Sequence, residues 1–330
     1  MCRSAAKVSL RRATNGPLRP SWGLPFEVAT EVLKRHLTTA FAMRDIKQAR
    51  LYLDSFVINS IELPKVHITA SPDLRVKGSW FVPKRSEPKC TLLYLHGGGY
   101  SFYPKSYANL IAEISLHAKA RIFALDYRLS PEHCFPAQLD DALEAYRHLL
   151  ENGVDPRELV VAGDSAGGNL AVALLLSARE SRLPLPALAV LLSPATDFLT
   201  PTELGGRASL VANQRFDYIS KEMLVTWADW FCGEEARSNP LISPIYADLR
   251  GLPPIYVQAG RAEILYDSIQ AFAERANSQG ANVVLESWED MNHGFQMFGH
   301  LARQSAEAIR RTAEVIRERL YGNQSCSGKP

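Results

Sequence analysis

In Gly163-Asp164-Ser165-Ala166-Gly167 a serine stands between two glycines, after the short candidate strand Glu158 to Ala162 and before the apolar helix candidate Gly168 to Ala178. A serine on a sharp strand-to-helix turn is held in strained backbone geometry with its hydroxyl projecting over the sheet edge, and flanking glycines give the turn room. The neighbouring N–H groups and the positive end of the helix dipole then aim at a reacting oxygen. That is an arrangement for acyl transfer to Ser165. The same five-residue pattern occurs by chance in flexible loops, but the strand before it and the helix after it argue against chance here.

A second chemical element lies upstream, where Thr91 to Leu95 runs into His96-Gly97-Gly98-Gly99-Tyr100. Three consecutive glycines suit neither a strand nor a helix interior. They do let backbone N–H groups approach a ligand unobstructed, as stabilising a tetrahedral oxyanion requires. A nucleotide-binding loop would need Gly-x-Gly-x-x-Gly spacing or a following Lys-Ser/Thr pair, and neither is present. Gly97 and Gly98 are assigned as oxyanion donors with the N–H of Ala166, and Gly99 is held in reserve.

A serine hydroxyl needs a general base to take its proton. Of eight histidines, His293 in Met291-Asn292-His293-Gly294-Phe295 lies just beyond the last candidate strand, where a loop would bring it to the sheet edge bearing Ser165. His36 and His148 fall on amphipathic helices, His117 and His133 lack a motif, and His96 belongs to the glycine loop with a structural hydrogen bond. A carboxylate must hold the imidazole in its tautomer. Glu263, close after the strand Ile255 to Ala259, is preferred; Asp267, one helical turn on, and Asp197 remain alternatives.

These groups must be positioned by a scaffold, and the chain alternates strand-like with helix-like stretches, the signature of a mostly parallel sheet covered on both faces. The candidate strands are Val66 to Thr69, Lys77 to Val82, Thr91 to Leu95, Arg121 to Leu125, Leu159 to Ala162, Ala187 to Leu192, Ile255 to Ala259 and Val283 to Trp288. Several are unbroken apolar runs, as strands buried on both faces should be. Ala137 to Leu150 reads as a helix with acids early, Arg147 and His148 late, and Gly153 as its stop. Apolar residues from Pro25 to Ser55 (Val28, Val32, Leu33, Leu37, Phe41) have helical spacing, giving one or two amphipathic helices before the first strand. Asp197 to Asn239, rich in aromatics, interrupts the alternation and would cap the sheet.

The composition excludes other classes. With 37 basic and 35 acidic residues the net charge is +2, which argues against a surface for nucleic-acid phosphates and favours small, near-neutral ligands. The five cysteines have no metal-site or disulfide spacing and read as free thiols, as a cytoplasmic location would suit. Basic residues in the first twenty positions are not followed by the apolar run of a secretory signal, so this segment is expected to be a frayed basic tail in preference to a transit-like segment. The most apolar stretch, Leu183 to Leu192, is interrupted by Pro184 and Pro186 and is far short of the roughly 20 residues that span a bilayer.

Taken together, the residues resemble the hormone-sensitive-lipase-like branch of α/β-hydrolase esterases. The matches are His96-Gly97-Gly98-Gly99, the Ser165 pentapeptide with Gly168, Asp126-Tyr127-Arg128-Leu129-Ser130-Pro131-Glu132 with Phe135-Pro136-Ala137, and Asn239-Pro240 through Ser243-Pro244 to Leu252-Pro253-Pro254. The order Ser165, Glu263, His293 is that of this fold's triads. The commonest family acid is Asp, so Glu263 is a departure, although some members use Glu. The resemblance implies an α/β-hydrolase fold with a mostly parallel eight-stranded sheet, flanking helices and a helical cap. Residues 1–55 would be tail and cap helices, 56–322 the catalytic domain with a cap insertion at about 197–239, and 323–330 a flexible tail.

The same resemblance implies hydrolysis of short- to medium-chain esters through an acyl-enzyme, no cofactor or metal, and a possible homodimer through the sheet edge. An amide hydrolase, such as an arylformamidase or deacetylase, could use the same three residues. A non-catalytic receptor of this fold, like the gibberellin receptors, would lack the histidine that this chain has at 293. Trp22, Phe26, Phe198 and Phe216 are candidates to line the pocket, though each is read first as core of the cap.

Overall fold

The computed structural model describes residues 2–55, 60–73, 75–199 and 208–322; the expected tail 323–330 lies outside these. Eight strands form one sheet: β1 (Val66–Ala70), β2 (Gly78–Pro83), β3 (Cys90–Leu95), β4 (Ala120–Leu125), β5 (Leu159–Asp164), β6 (Leu188–Leu192), β7 (Ile255–Gly260) and β8 (Val283–Trp288). Their spatial order is β1-β2-β4-β3-β5-β6-β7-β8. β2 is antiparallel to both β1 and β4, and every other pairing is parallel. The eight expected strands are all present, each within two residues of its expected ends.

Strands β3, β5, β6 and β7 are buried at every position, which is why they read as continuous apolar runs rather than alternating ones. Alternation survives in where each side chain goes. Leu93 and Leu95 enter the core on one face of the sheet, while Leu92 and Tyr94 enter the core on the other, as a period of two dictates.

Ten helices are described: α1 (Cys2–Asn15), α2 (Leu24–Phe41), α3 (Ile46–Asp54), α4 (Tyr107–Ala118), α5 (Ala137–Glu151), α6 (Ala166–Glu180), α7 (Ala208–Ala212), α8 (Lys221–Cys232), α9 (Tyr266–Ser278) and α10 (Arg303–Tyr321). The expected amphipathic region Pro25 to Ser55 is two helices, the second started by Asp45, whose side chain accepts from the Lys47 N–H as an N-cap does. Among the described residues no helix is long and apolar enough to cross a membrane, and Cys90, Cys134 and Cys232 are free.

The start of the chain corrects one expectation. Instead of a frayed tail, the basic segment forms α1, with Val8 and Ser4 buried. Arg11 and Arg12 pair with the buried Glu27 of α2, and Arg19 pairs with Asp290. The cationic residues have partners too distant in sequence for a local reading to find.

The topology also fixes where a site can form. β3 and β5 are neighbours although β4 lies between them in sequence, so the winding of the sheet reverses at this pair, the place where ligands bind in open α/β sheets. Leu95 is paired with Gly163 in register. The glycine loop after β3 and the serine turn after β5 therefore emerge side by side.

Candidate active site

Ser165 occupies the turn between β5 and α6 with φ 51° and ψ −119°, a conformation that a non-glycine residue keeps only when its surroundings over-determine it. Its N–H donates to Leu192 O at 2.9 Å, and its carbonyl accepts from Asn169 N at 3.1 Å and Ala195 N at 3.0 Å. Asn169 is itself buried and donates to the carbonyls of Ala195 and Ile242, both at 2.8 Å. The flanking glycines are needed for close approach: a Cβ on Gly167 would lie 1.9 Å from Leu95 O, and one on Gly163 2.3 Å from Gly167 O. Ala166 opens α6, so its N–H has no acceptor within the helix.

The glycine loop differs from expectation at one residue. Gly97 donates its N–H to Asp164 Oδ1 at 3.0 Å, so that N–H is already spent and Gly97 is not an available oxyanion donor. Asp164, fully buried, also accepts from the hydroxyls of Tyr94 at 2.8 Å and Tyr107 at 2.9 Å. Burial pushes its carboxyl up, and the three donors oppose the shift. The second residue of the serine turn thus ties the glycine loop to β5. Gly98 (φ +94°) and Gly99 (φ +60°) adopt conformations favoured by glycine, and both border the cavity that exposes Ser165 and His293. His96 stacks between Tyr103 and Tyr127, at centroid distances of 3.6 and 4.1 Å. Its Nδ1 lies 2.7 Å from Gly97 O. Burial lowers its pKa to about 3, so it is a neutral structural residue, as the sequence reading expected.

His293 brings Nε2 to 2.9 Å from Ser165 Oγ. Its Nδ1 lies 3.3 Å from Glu263 Oε2. The loops carrying the two residues are joined: Ala262 N donates to Met291 O at 2.9 Å, and a Cβ on Gly260 would strike that carbonyl at 2.1 Å. Both alternative acids are engaged elsewhere. Asp267 accepts from Ser209 N at 2.9 Å, and Asp197 accepts from Leu199 N and the Tyr246 hydroxyl. Burial pushes the Glu263 carboxyl up, opposed by the Ser193 hydroxyl and the Gly260 backbone. Burial likewise pushes His293 down, opposed by the negative charges of Asp217 and Asp164. An isolated charge on either partner is disfavoured, and a carboxylate beside an imidazolium satisfies both.

Asp217 had no sequence signal. It is fully buried between α7 and α8, where Oδ1 accepts from Tyr218 N at 2.8 Å and Oδ2 from Ile264 N at 2.9 Å. Burial raises its pKa to about 6. A solitary Asp in an aromatic segment carries no spacing that would single it out; only the packing of this turn against the loop after β7 does so.

Two cavities meet at Ser165. The first, about 60 Å³, is walled by apolar side chains including Phe198, Leu210, Leu224 and Ile264. The second, about 90 Å³, is bordered by Leu33, Leu37, Tyr218, His293 and Met297. Gly99 and Trp227 border both, and the indole lies so close that a Cβ on Gly99 would sit 2.3 Å from it. Of the four candidate lining aromatics, Phe198 lines the first cavity. Trp22, Phe26 and Phe216 are buried in the core, with Trp22 packed edge-on against Phe26. The arrangement places a hydroxyl, an imidazole within hydrogen-bonding distance and a buried carboxyl group behind it around one point, with Gly98 and Gly99 bordering the same cavity. Such a set can carry out acyl transfer through the hydroxyl.

Comparison with known proteins agrees with this fold. Residues 92–297 match a family model described as alpha/beta hydrolase fold. An acetyl-hydrolase of Streptomyces hygroscopicus is 38% identical over 239 residues, covering 72% of this chain and 78% of the relative. An esterase of Acinetobacter venetianus is 30% identical over 226 residues, covering 68% of this chain and 73% of the relative. A crystal structure of an esterase from the bacterial hormone-sensitive lipase family superposes with a TM-score of 0.82 at 31% identity, covering 90% of this chain and 99% of that one.

Proposed function

The chain belongs to the hormone-sensitive-lipase-like branch of the α/β-hydrolase family and is a carboxylic-ester hydrolase, and from that premise we propose that it works through an acyl-enzyme on Ser165. The observation that carries this reading is the 2.9 Å approach of His293 Nε2 to the Ser165 hydroxyl, with Ser165 held at positive φ on its turn. Ser165 Oγ attacks the ester carbonyl while His293 takes its proton. The Glu263 carboxylate stabilises the imidazolium that forms. The oxyanion is received by the N–H groups of Gly98, Gly99 and Ala166, with Gly99 replacing the already engaged Gly97. His293 then protonates the departing alcohol as the carbon–oxygen bond breaks. Water adds to the acyl-enzyme with the same imidazole taking its proton, and Ser165 leaves with that proton restored.

This chemistry orients the substrate. The leaving alcohol must depart beside the imidazole that protonates it, and His293 borders the second cavity. The acyl chain then occupies the first, more apolar cavity, which borders Ser165 and Ala166 but not His293. The small volume of this apolar space, about 60 Å³, favours acyl chains of short to medium length. Helices α1–α3 and α7–α8 act as the cap that encloses both cavities. Replacing Ser165 by Ala is expected to remove nearly all turnover of nitrophenyl butyrate, together with the burst of nitrophenol that reports acylation. A variant keeping most of its activity would reject the assignment.

A further inference from the structure

The turn before His293 is gripped from the far end of the chain. Asp290, at φ +64°, accepts from Arg19 Nε at 2.7 Å and from the Ser21 N–H at 3.2 Å. Arg19 Nη2 lies 2.6 Å from the same carboxylate. The Asp290 carbonyl accepts from Trp22 Nε1 at 2.6 Å. Two residues later, Asn292 Nδ2 donates to Thr30 Oγ1 of α2 at 3.2 Å and to Phe216 O at 3.5 Å.

Arg19 is also the point where three segments join, since its guanidinium lies 4.8 Å from the centroid of the Phe216 ring. It touches the N-terminal segment, the turn before α8 and the loop that carries the base. The Arg19 and Asp290 side chains are 27% and 11% exposed, and both nitrogens reach the one oxygen Oδ1, so this pair is partly shielded from water and holds its geometry more firmly than a fully exposed ion pair. Asp290 takes the left-handed conformation that Asp tolerates better than most residues, and these contacts hold it there.

From this junction we infer that Arg19 and Asp290 are positioning residues for His293: docking of the N-terminal segment fixes the turn 290–292 and so sets the distance from His293 Nε2 to Ser165 Oγ. The inference rests on the Ser165 and His293 reading above. It assigns the segment before α2 a part in turnover as well as in enclosing the site. The acid side of the turn is secured independently by Ala262 N on Met291 O, so loss of the N-terminal grip should displace the base while leaving the fold of the sheet intact.

The test uses the full chain with Arg19→Ala, Arg19→Lys, Asp290→Asn and the double variant Arg19→Ala/Asp290→Asn, assayed on nitrophenyl butyrate. Competent sites are counted by stoichiometric phosphonylation of Ser165, so that unfolded protein does not enter kcat. A misplacement of the base by a fraction of an ångström should lower kcat per titrated site by roughly tenfold in Arg19→Ala, with KM changed less than about twofold. Arg19→Lys should recover part of the loss, and the double variant should lose little more than the worse single variant, because both act through one contact.

Unchanged kcat per site alongside a lowered melting temperature would overturn the inference, as would strictly additive losses. Should Arg19→Ala fail to fold, Arg19→Lys and Asp290→Asn read the same quantity. Ser165→Ala is assayed in parallel. Turnover surviving there defeats the underlying reading, whereas a dead Ser165→Ala with wild-type Arg19 variants defeats only the positioning role.

Discussion

Replacing Glu263 by Gln removes the charge facing His293 without changing the shape of the side chain. If the imidazolium forms only on the reaction path, this loss falls on kcat rather than on KM. Its size follows from the geometry: two unit charges 3.3 Å apart attract by ~5 kcal/mol at an effective dielectric of about 20. At about 1.4 kcal/mol for each factor of ten, that sets a ceiling near four decades, and a fall of ~10²- to 10⁴-fold in kcat is expected. Glu263→Asp tests the distance. Its carboxylate retreats by about 1.5 Å, one carbon–carbon bond, leaving ~3.5 kcal/mol of attraction and a loss of about tenfold.

Stability should move the other way in the Gln variant. The folded-state pKa of Glu263 is raised by burial, so the carboxylate form destabilises the fold as pH rises through that pKa, and a neutral Gln is relieved of this cost at neutral pH. The assay is steady-state hydrolysis of nitrophenyl butyrate with thermal unfolding on the same samples. Lower kcat with an equal or higher melting temperature separates a chemical role from misfolding. A Gln variant within about tenfold of wild type, or Gln and Asp variants of equal activity, would refute the assignment and turn attention to Asp217.

Asp217→Asn removes a buried carboxyl whose negative charge, carried above its pKa of about 6, raises the pKa of His293. The acid limb of kcat/KM, which burial already places below the usual 6.5 of histidine, should therefore shift to lower pH; a shift to higher pH would show that this charge does not act on the base. Trp227→Leu should thin the wall between the two cavities and favour longer acyl chains. Each further methylene buried contributes ~0.8 kcal/mol, so two raise relative kcat/KM by roughly tenfold; an unchanged chain-length profile across nitrophenyl acetate to decanoate would remove Trp227 as a partition.

Much of the scaffold was legible from residue order alone, because strands buried on both faces must be apolar throughout and Leu92 to Leu95 or Val160 to Ala162 could scarcely be anything else. The residues brought together around Ser165 were legible for a related reason: a serine between glycines after a strand, a glycine triplet after another, and a histidine after the last each carry a local signature of the turn they occupy. Three things were not. That Gly97 spends its N–H on Asp164 depends on the side-by-side exit of β3 and β5, which no local pattern encodes. Asp217 gains its place near the base only through the packing of its turn on the loop after β7. The basic start of the chain reads as a loose tail until Glu27 and Asp290 are placed beside it. Sequence determined which groups are available, since chemistry and backbone freedom belong to residue types. Tertiary structure decided which polar groups are free and which are satisfied, because a hydrogen-bond partner is chosen by proximity in space, and proximity is what folding creates.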